Sequence, residues 1–481
     1  MRATELWQWE AGALASAVRE RRVSPDEVLD AFVARIEAID GDLHAFCTPT
    51  FEVAAEHARA VRGALNAGET PGPLAGVPVA VKDLICTAGI PTVGGCKAYA
   101  GFVPDADDVV VERVRAAGAL VIGKTNVSEL GYGPTGVNPV FPTTRNPWNP
   151  ERSPGGSSAG SAVAVATGMS PVALGSDGGG SIRIPASACG VVGIKASMGR
   201  VPLWPGCRNP NWPGLSSWES LEHIGPLART VADAALLLSV IAGPDLRDRH
   251  SIPIADVDWI AAAAGCPGGP ATGRRPLRIS FSEDWGYAPV DPQVRAVARA
   301  AAATFAENLG CDIEPLGSPW ADPEDIFTAL VAMETDLTAM RRLVAEGAEF
   351  GPTVRAVIDR PWRAEDFTDA IAGRKVVCNA MAAAMERCDL ILTPTLAAPV
   401  PGAEDQRVTM IDGTPVGPSG WNAFTFVANL TGQPAASLPA GSDESGMPVG
   451  IQLIGRHLDD ARVIQAAAAF EAARPAPRLW S

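Results

Sequence analysis

Two glycine-flanked serine clusters stand close together in this chain, Gly155-Gly156-Ser157-Ser158 and Gly178-Gly179-Gly180-Ser181. Upstream of both, Lys82 ends the apolar run Gly76-Val77-Pro78-Val79-Ala80-Val81. Serines held on glycine-rich backbone, with a buried lysine in reach, are the parts of a serine hydrolase that needs no histidine. A serine hydroxyl is a poor nucleophile until a base takes its proton. A solvated lysine is protonated at neutral pH and cannot serve. Burial behind Val79-Ala80-Val81 disfavours the ammonium form and lowers its pKa. Reaching the useful range near ~7–8 takes about 4 kcal/mol of environmental bias. The chain holds 39 basic residues. Only Lys82, Lys97, Lys124, Lys195 and Lys375 are lysines, so a lysine closing an apolar run is not routine surface decoration. The alternative is a lysine that snorkels to water from a strand end.

Two other motifs match patterns without the physics behind them. Gly118-Ala119-Leu120-Val121-Ile122-Gly123-Lys124-Thr125 fits the phosphate-loop spacing. Its four intervening residues are apolar and branched, so they read as a strand rather than as a loop facing phosphate. Gly156-Ser157-Ser158-Ala159-Gly160 fits the nucleophile elbow with Ser158 central. That elbow needs a preceding strand, yet 144–154 reads as loop, and only His457 lies late enough to complete a triad. Neither HExxH nor a His/Cys cluster nor an EF-hand loop occurs, so no metal and no organic cofactor is expected.

The net charge is −15. Phosphates would be repelled, which argues against nucleic acid or an anionic membrane as partner. The charge says little about a small neutral substrate. Nine cysteines without CxxC pairs, and Glu5 and Glu10 near the start, favour a reducing cytoplasm over export. No apolar run reaches membrane-spanning length.

The elements that must position these residues alternate. Ser24-Pro25-Asp26-Glu27 is a capping box with proline at the first helical position, and Val28, Phe32, Ile36 and Ile39 follow at helical spacing. The first 65 or so residues read as helices. Residues 76–81 and 119–122 read as buried strands, 109–117 and 162–167 as helices, and 171–174 as a strand entering the second serine cluster. Residues 285–390 read as mostly helical. The segments 389–395, 435–439 and 449–455 return to sheet character. This alternation indicates an α/β protein on a central sheet, built from both ends of the chain. One large domain is expected: a helical region at 1–70, a core at 71–240, a mostly helical insertion at 241–390 and a return to the sheet at 391–481. Residues 201–222, with Trp204, Trp212 and Trp218, read as a loop. It is either a connector with partly buried indoles or the rim of an apolar substrate pocket.

Lys82, the run 155–160 and Asp177-Gly178-Gly179-Gly180-Ser181-Ile182-Arg183-Ile184-Pro185 together resemble the amidase signature family. Gly123-Lys124-Thr125-Asn126 with Glu129, Gly225-Pro226-Leu227-Ala228-Arg229 and Gly432-Gln433-Pro434-Ala435 extend the resemblance over most of the chain. It implies a single α/β/α domain with a large twisted mixed sheet flanked by helices. It also implies a Ser–Ser–Lys triad, with Ser181 as nucleophile, Ser157 as bridging serine in a cis Gly156–Ser157 peptide, and Lys82 as base. The N–H groups of Gly178, Gly179, Gly180 and Ser181 would form the oxyanion hole. Ser158, Asp177 and Arg183 would support the loop, and Gly131 would line the substrate cleft. Trp204 and Trp212 are the candidate aromatic substrate contacts. Gly178 and Lys195-Ala196-Ser197 depart from the family's usual residues.

The expected function is hydrolysis of a carbon–nitrogen amide bond through an acyl-serine, on an apolar or aryl/alkyl amide, a carbamate (urethane) or an ester. The alternative is the glutaminase subunit of a tRNA-dependent amidotransferase. The expected assembly is a monomer or homodimer.

Overall fold

The computed structural model describes residues 3–205, 218–254, 256–265 and 275–480. Thirteen strands form among them: β1 (Phe46–Pro49), β2 (Pro78–Lys82), β3 (Leu120–Thr125), β4 (Val172–Ser176), β5 (Val192–Lys195), β6 (Ile224–Ala228), β7 (Arg278–Phe281), β8 (Asp312–Pro315), β9 (Leu390–Pro394), β10 (Met410–Ile411), β11 (Thr414–Pro415), β12 (Ala435–Ser442) and β13 (Pro448–Gly455). Eleven join one sheet in the order β1-β3-β2-β4-β6-β5-β12-β13-β9-β7-β8, and β10 and β11 form a separate hairpin.

The sheet is mixed. β2 lies parallel to both β3 and β4, the pairs from β4 through β6, β5, β12 and β13 to β9 are antiparallel, and β7 is parallel to both β9 and β8. Strands from residues 435–455 therefore sit at the centre, between the N-terminal signature strands and β9. β2, β3 and β4 are buried throughout, as their near-continuous apolar sequences require. Alternation sends Val79 and Val81 into one core with Val121, Leu174 and Leu238. It sends Ala80 to the opposite face, with Leu120, Ala173 and the helix Ala159–Ala166.

The capping box forms as expected. Ser24 accepts the Glu27 N–H at 3.1 Å, and Glu27 reaches back to the Ser24 N–H at 2.8 Å. The phosphate-loop lookalike is a strand, since β3 covers Leu120 to Thr125. Three short strands depart from the sequence expectation. β1 interrupts the helical N-terminal region, and β7 and β8 interrupt the mostly helical segment and extend the main sheet beyond β9. Each has four residues, too few to set a period, and β8 at the sheet edge is mostly exposed.

Candidate active site

β2 and β4 are parallel and in register, with Val81 opposite Leu174, so their carboxyl ends finish side by side. Those ends are Lys82 and Ser176. In open α/β sheets the carboxyl edge of parallel strands is where ligands are held. Two loops return to this edge. One carries Ser157 into the helix Ala159–Ala166, and the other carries Ser181 into the helix Arg183–Cys189. The Gly156–Ser157 peptide is cis.

Lys82 has no exposed surface. Its Nζ lies 2.8 Å from Ser157 Oγ, 2.8 Å from Ser176 Oγ and 3.0 Å from the Ser176 carbonyl oxygen. Burial lowers its pKa to about 8, against the opposing pull of the Glu222 and Asp177 carboxylates. Ser158 ties the two serine loops together. Its N–H donates to the Ser181 carbonyl at 3.1 Å, while its Oγ lies 3.2 Å from the Ser176 carbonyl and accepts the Ser176 N–H at 3.3 Å. Ser181 is buried to 8% exposure and lines a cavity. Among the described residues, no hydrogen bond joins Ser181 Oγ to Ser157.

Asp177 and Arg183 lie at either end of the loop that carries Ser181, both fully buried, and form a two-pronged pair at 2.8 and 2.9 Å. Asn429 adds 2.9 Å to Asp177 Oδ1 and 2.7 Å to the Asp177 carbonyl. Burial alone would raise the Asp177 pKa. The Arg183 guanidinium and these hydrogen bonds outweigh it and hold the carboxyl well below the usual range. A broken buried pair leaves an uncompensated charge, so Asp177→Asn is expected to destabilise the fold by about 3–5 kcal/mol, read from the urea midpoint at neutral pH. The Asp177 contribution is complete above the unfolded carboxyl value of about 3.9. It is lost only as pH falls through the depressed folded value, so the difference from the parent should persist down to about pH 4.

Asp177 also arranges the backbone donors. Its Oδ1 accepts the Gly180 N–H at 2.7 Å. Gly180 is thus committed to the carboxylate rather than aimed at a substrate. The N–H groups of Gly178, Gly179 and Ser181 have no protein acceptor among the described residues.

The cavity above Ser181 has a volume of about 290 Å³. Its wall is mostly apolar and includes Tyr132, Trp218, Phe327, Val331, Val357 and Trp362. Gly131 lines it too. Its φ is +80°, and a Cβ there would stand 3.7 Å from Ser157 Oγ and 3.1 Å from Leu84. Of the three tryptophans in the loop, Trp218 lines the cavity. Trp204 does not: it stacks under the Arg247 guanidinium, 4.4 Å from the ring centre. Trp212 lies outside the described residues. Residues not singled out from sequence complete the site. Ser176 holds Lys82, Asn429 holds Asp177, and Phe327 supplies an aromatic wall. Ser176 carried a signal, being the serine just before the second cluster, whereas Asn429 and Phe327 carried none.

A buried amine between serine hydroxyls, at the carboxyl edge of a mixed sheet, is an arrangement able to activate a serine for acyl transfer. The amidase family profile matches residues 27–464, and the chain belongs to that family. It is 35% identical over 479 residues to an acylamidase of Rhodococcus erythropolis, covering 97% of this chain and 95% of that one. It is 37% identical over 494 residues to one chain of the glutamyl-tRNA(Gln) amidotransferase of Moorella thermoacetica, with 97% of both chains covered. Among solved structures it resembles a bacterial aryl acylamidase of the amidase signature enzymes, with a TM-score of 0.87, 32% identity, and 97% and 96% of the two chains covered. Among the described residues no helix is long and apolar enough to cross a membrane.

Proposed function

We propose that this enzyme acts alone on amides whose acyl or amine part is apolar or aryl, through an acyl-serine formed on Ser181. The observation that carries this reading is the apolar cavity that Ser181 opens into. Neutral Lys82 has two N–H groups and one lone pair, which matches its three neighbours: it donates to Ser176 Oγ and the Ser176 carbonyl, and accepts from the Ser157 hydroxyl. As Ser181 Oγ attacks the substrate carbonyl, its proton passes to Ser157 and that of Ser157 to Lys82. This transfer needs a Ser181–Ser157 hydrogen bond that the free enzyme lacks, and which forms as substrate seats Ser181 in the Michaelis complex. The N–H groups of Gly178, Gly179 and Ser181 meet the oxyanion, while Gly180 keeps the loop shaped through Asp177. Lys82 then returns a proton through Ser157 to the leaving amine, and water releases the acyl group. Carbamates and esters present the same carbonyl and suit the same steps.

The second reading, a glutaminase working with partner chains, draws on the similarity to amidotransferase subunits. Free glutamine needs a negative group for its α-ammonium. Among the described residues lining the cavity there is no Asp or Glu, and Arg360 is the one formal charge. Amine release by the purified chain from glutamine, short aliphatic amides, anilides and carbamates separates the two. The expected result is turnover of anilides or carbamates with no glutaminase activity. Turnover of glutamine alone would overturn the reading.

A further inference from the structure

Two aromatic rings lie against the backbone of the nucleophile loop. A Cβ at Gly178 would come within 2.6 Å of Trp218 Cε3, and one at Gly179 within 2.5 Å of Phe327 Cζ. Real Cβ atoms do not approach that closely, so each ring in its place requires a glycine beneath it. Trp218 cannot simply swing aside. It is 7% exposed, packs edge-on to Tyr132 with ring centres 4.7 Å apart, and donates its Nε1–H to Thr335 Oγ1 at 3.3 Å. Thr335 also holds the Tyr132 hydroxyl at 2.5 Å. Tyr132 and Trp218 are therefore one braced wall. The Phe327 ring is backed by Phe426, stacked at 4.9 Å.

Resting on the reading of Ser181 as nucleophile, we propose that Trp218, seated on the side-chain-free Gly178, sets the size limit for the substrate group next to the reacting carbonyl. Gly178 and Gly179 carry backbone N–H groups with no protein acceptor among the described residues, beside Ser181. A carbonyl oxygen placed on those donors brings its substituents against the rings that cover them. The indole fills space that a larger substrate group would need, and it keeps water off the donors, where hydrogen bonds to a developing charge are stronger. Trp218 is thus a specificity-determining residue, and Gly178 is the position that admits it.

The test is a double-substitution cycle with Gly178→Ala and Trp218→Ala, adding Trp218→Phe in case the alanine variant folds poorly. Two readouts are needed. The first is Tm, which does not depend on catalysis. Gly178→Ala is expected to lower Tm in the parent and to lower it far less when Trp218 is already alanine. A residual effect is expected from Glu222, whose Oε2 would lie 3.0 Å from the new Cβ. Equal losses in both backgrounds would overturn the steric pairing. The second readout is kcat/KM on two series of anilides, one lengthened in the acyl part and one enlarged in the amine part. Trp218→Ala is expected to raise the ratio of large to small substrate about tenfold in one series, the scale of a pocket that gains or loses a few methylenes. Trp218→Phe should fall between it and the parent. Unchanged ratios in both series would overturn the specificity role while leaving Ser181 as nucleophile. Full activity of Ser181→Ala would instead overturn the reading of the site, and the Tm cycle would still decide the pairing.

Discussion

Ser181→Ala is expected to lower kcat for amide hydrolysis by about 10⁴-fold or more, with little change in Tm. The size follows from removing the atom that the proposed mechanism acylates, after which only the backbone donors and binding remain to act. The small effect on stability follows from the position. The Ser181 hydroxyl makes no hydrogen bond among the described residues, so its loss leaves no orphaned partner. The loop around it is held by other groups: Asp177 on Arg183, Asn429 and the Gly180 N–H, and Ser158 on the Ser181 carbonyl. Steady-state kinetics on an anilide, with a thermal melt alongside, checks both halves. A loss of only a few-fold would mean that another group attacks.

Lys82→Met is expected to cost about 10²–10⁴-fold in kcat/KM, the usual worth of a positioned general base, while keeping most of the side-chain volume. The parent should also show a specific pH profile. In the proposed mechanism the base is the neutral amine, and burial lowers the Lys82 pKa to about 8. kcat/KM should therefore rise with pH through that value and level off above it, because protonation below it removes the base. The variant's residual activity should lack this limb. A second buried amine makes the variant necessary. Burial, with help from the Arg183 charge, lowers Lys195 to about 7, and it lies among the Ala196 carbonyl, the Gln433 carbonyl and His223 Nε2. Lys195 does not line the cavity. A limb that survives in Lys82→Met would assign the titration to that network instead.

The parts that were readable in the sequence are those where chemistry concentrates into short runs. Lys82 at the end of an apolar strand, and serines flanked by glycines, carry their signal within a few residues, because a tight loop needs glycine and a buried strand needs branched apolar side chains. The Asp177–Arg183 brace lies within one such run. The cavity wall was not readable. Phe327, Val331 and Val357 sit on helices whose apolar spacing looks the same whether a face packs on the core or lines a cavity. Three tryptophans in one loop could not be told apart by composition. Trp204 turned to Arg247, while Trp218 turned to the cavity and Tyr132. Asn429 reaches Asp177 from a distant helix, and such a pairing is set by the order of strands rather than by any local pattern. The commitment of the Gly180 N–H to Asp177 likewise depends on how the loop turns, which three glycines in a row leave open.

In the proposed mechanism Ser181 carries the acyl group. Labelling with a fluorophosphonate, followed by intact-mass measurement and peptide mapping, tests it without needing the natural substrate. One adduct per chain is expected, on the peptide that contains Ser181, with labelling abolished in Ser181→Ala and slowed in Lys82→Met. An adduct on Ser157 or Ser158, or full labelling of Ser181→Ala, would contradict it.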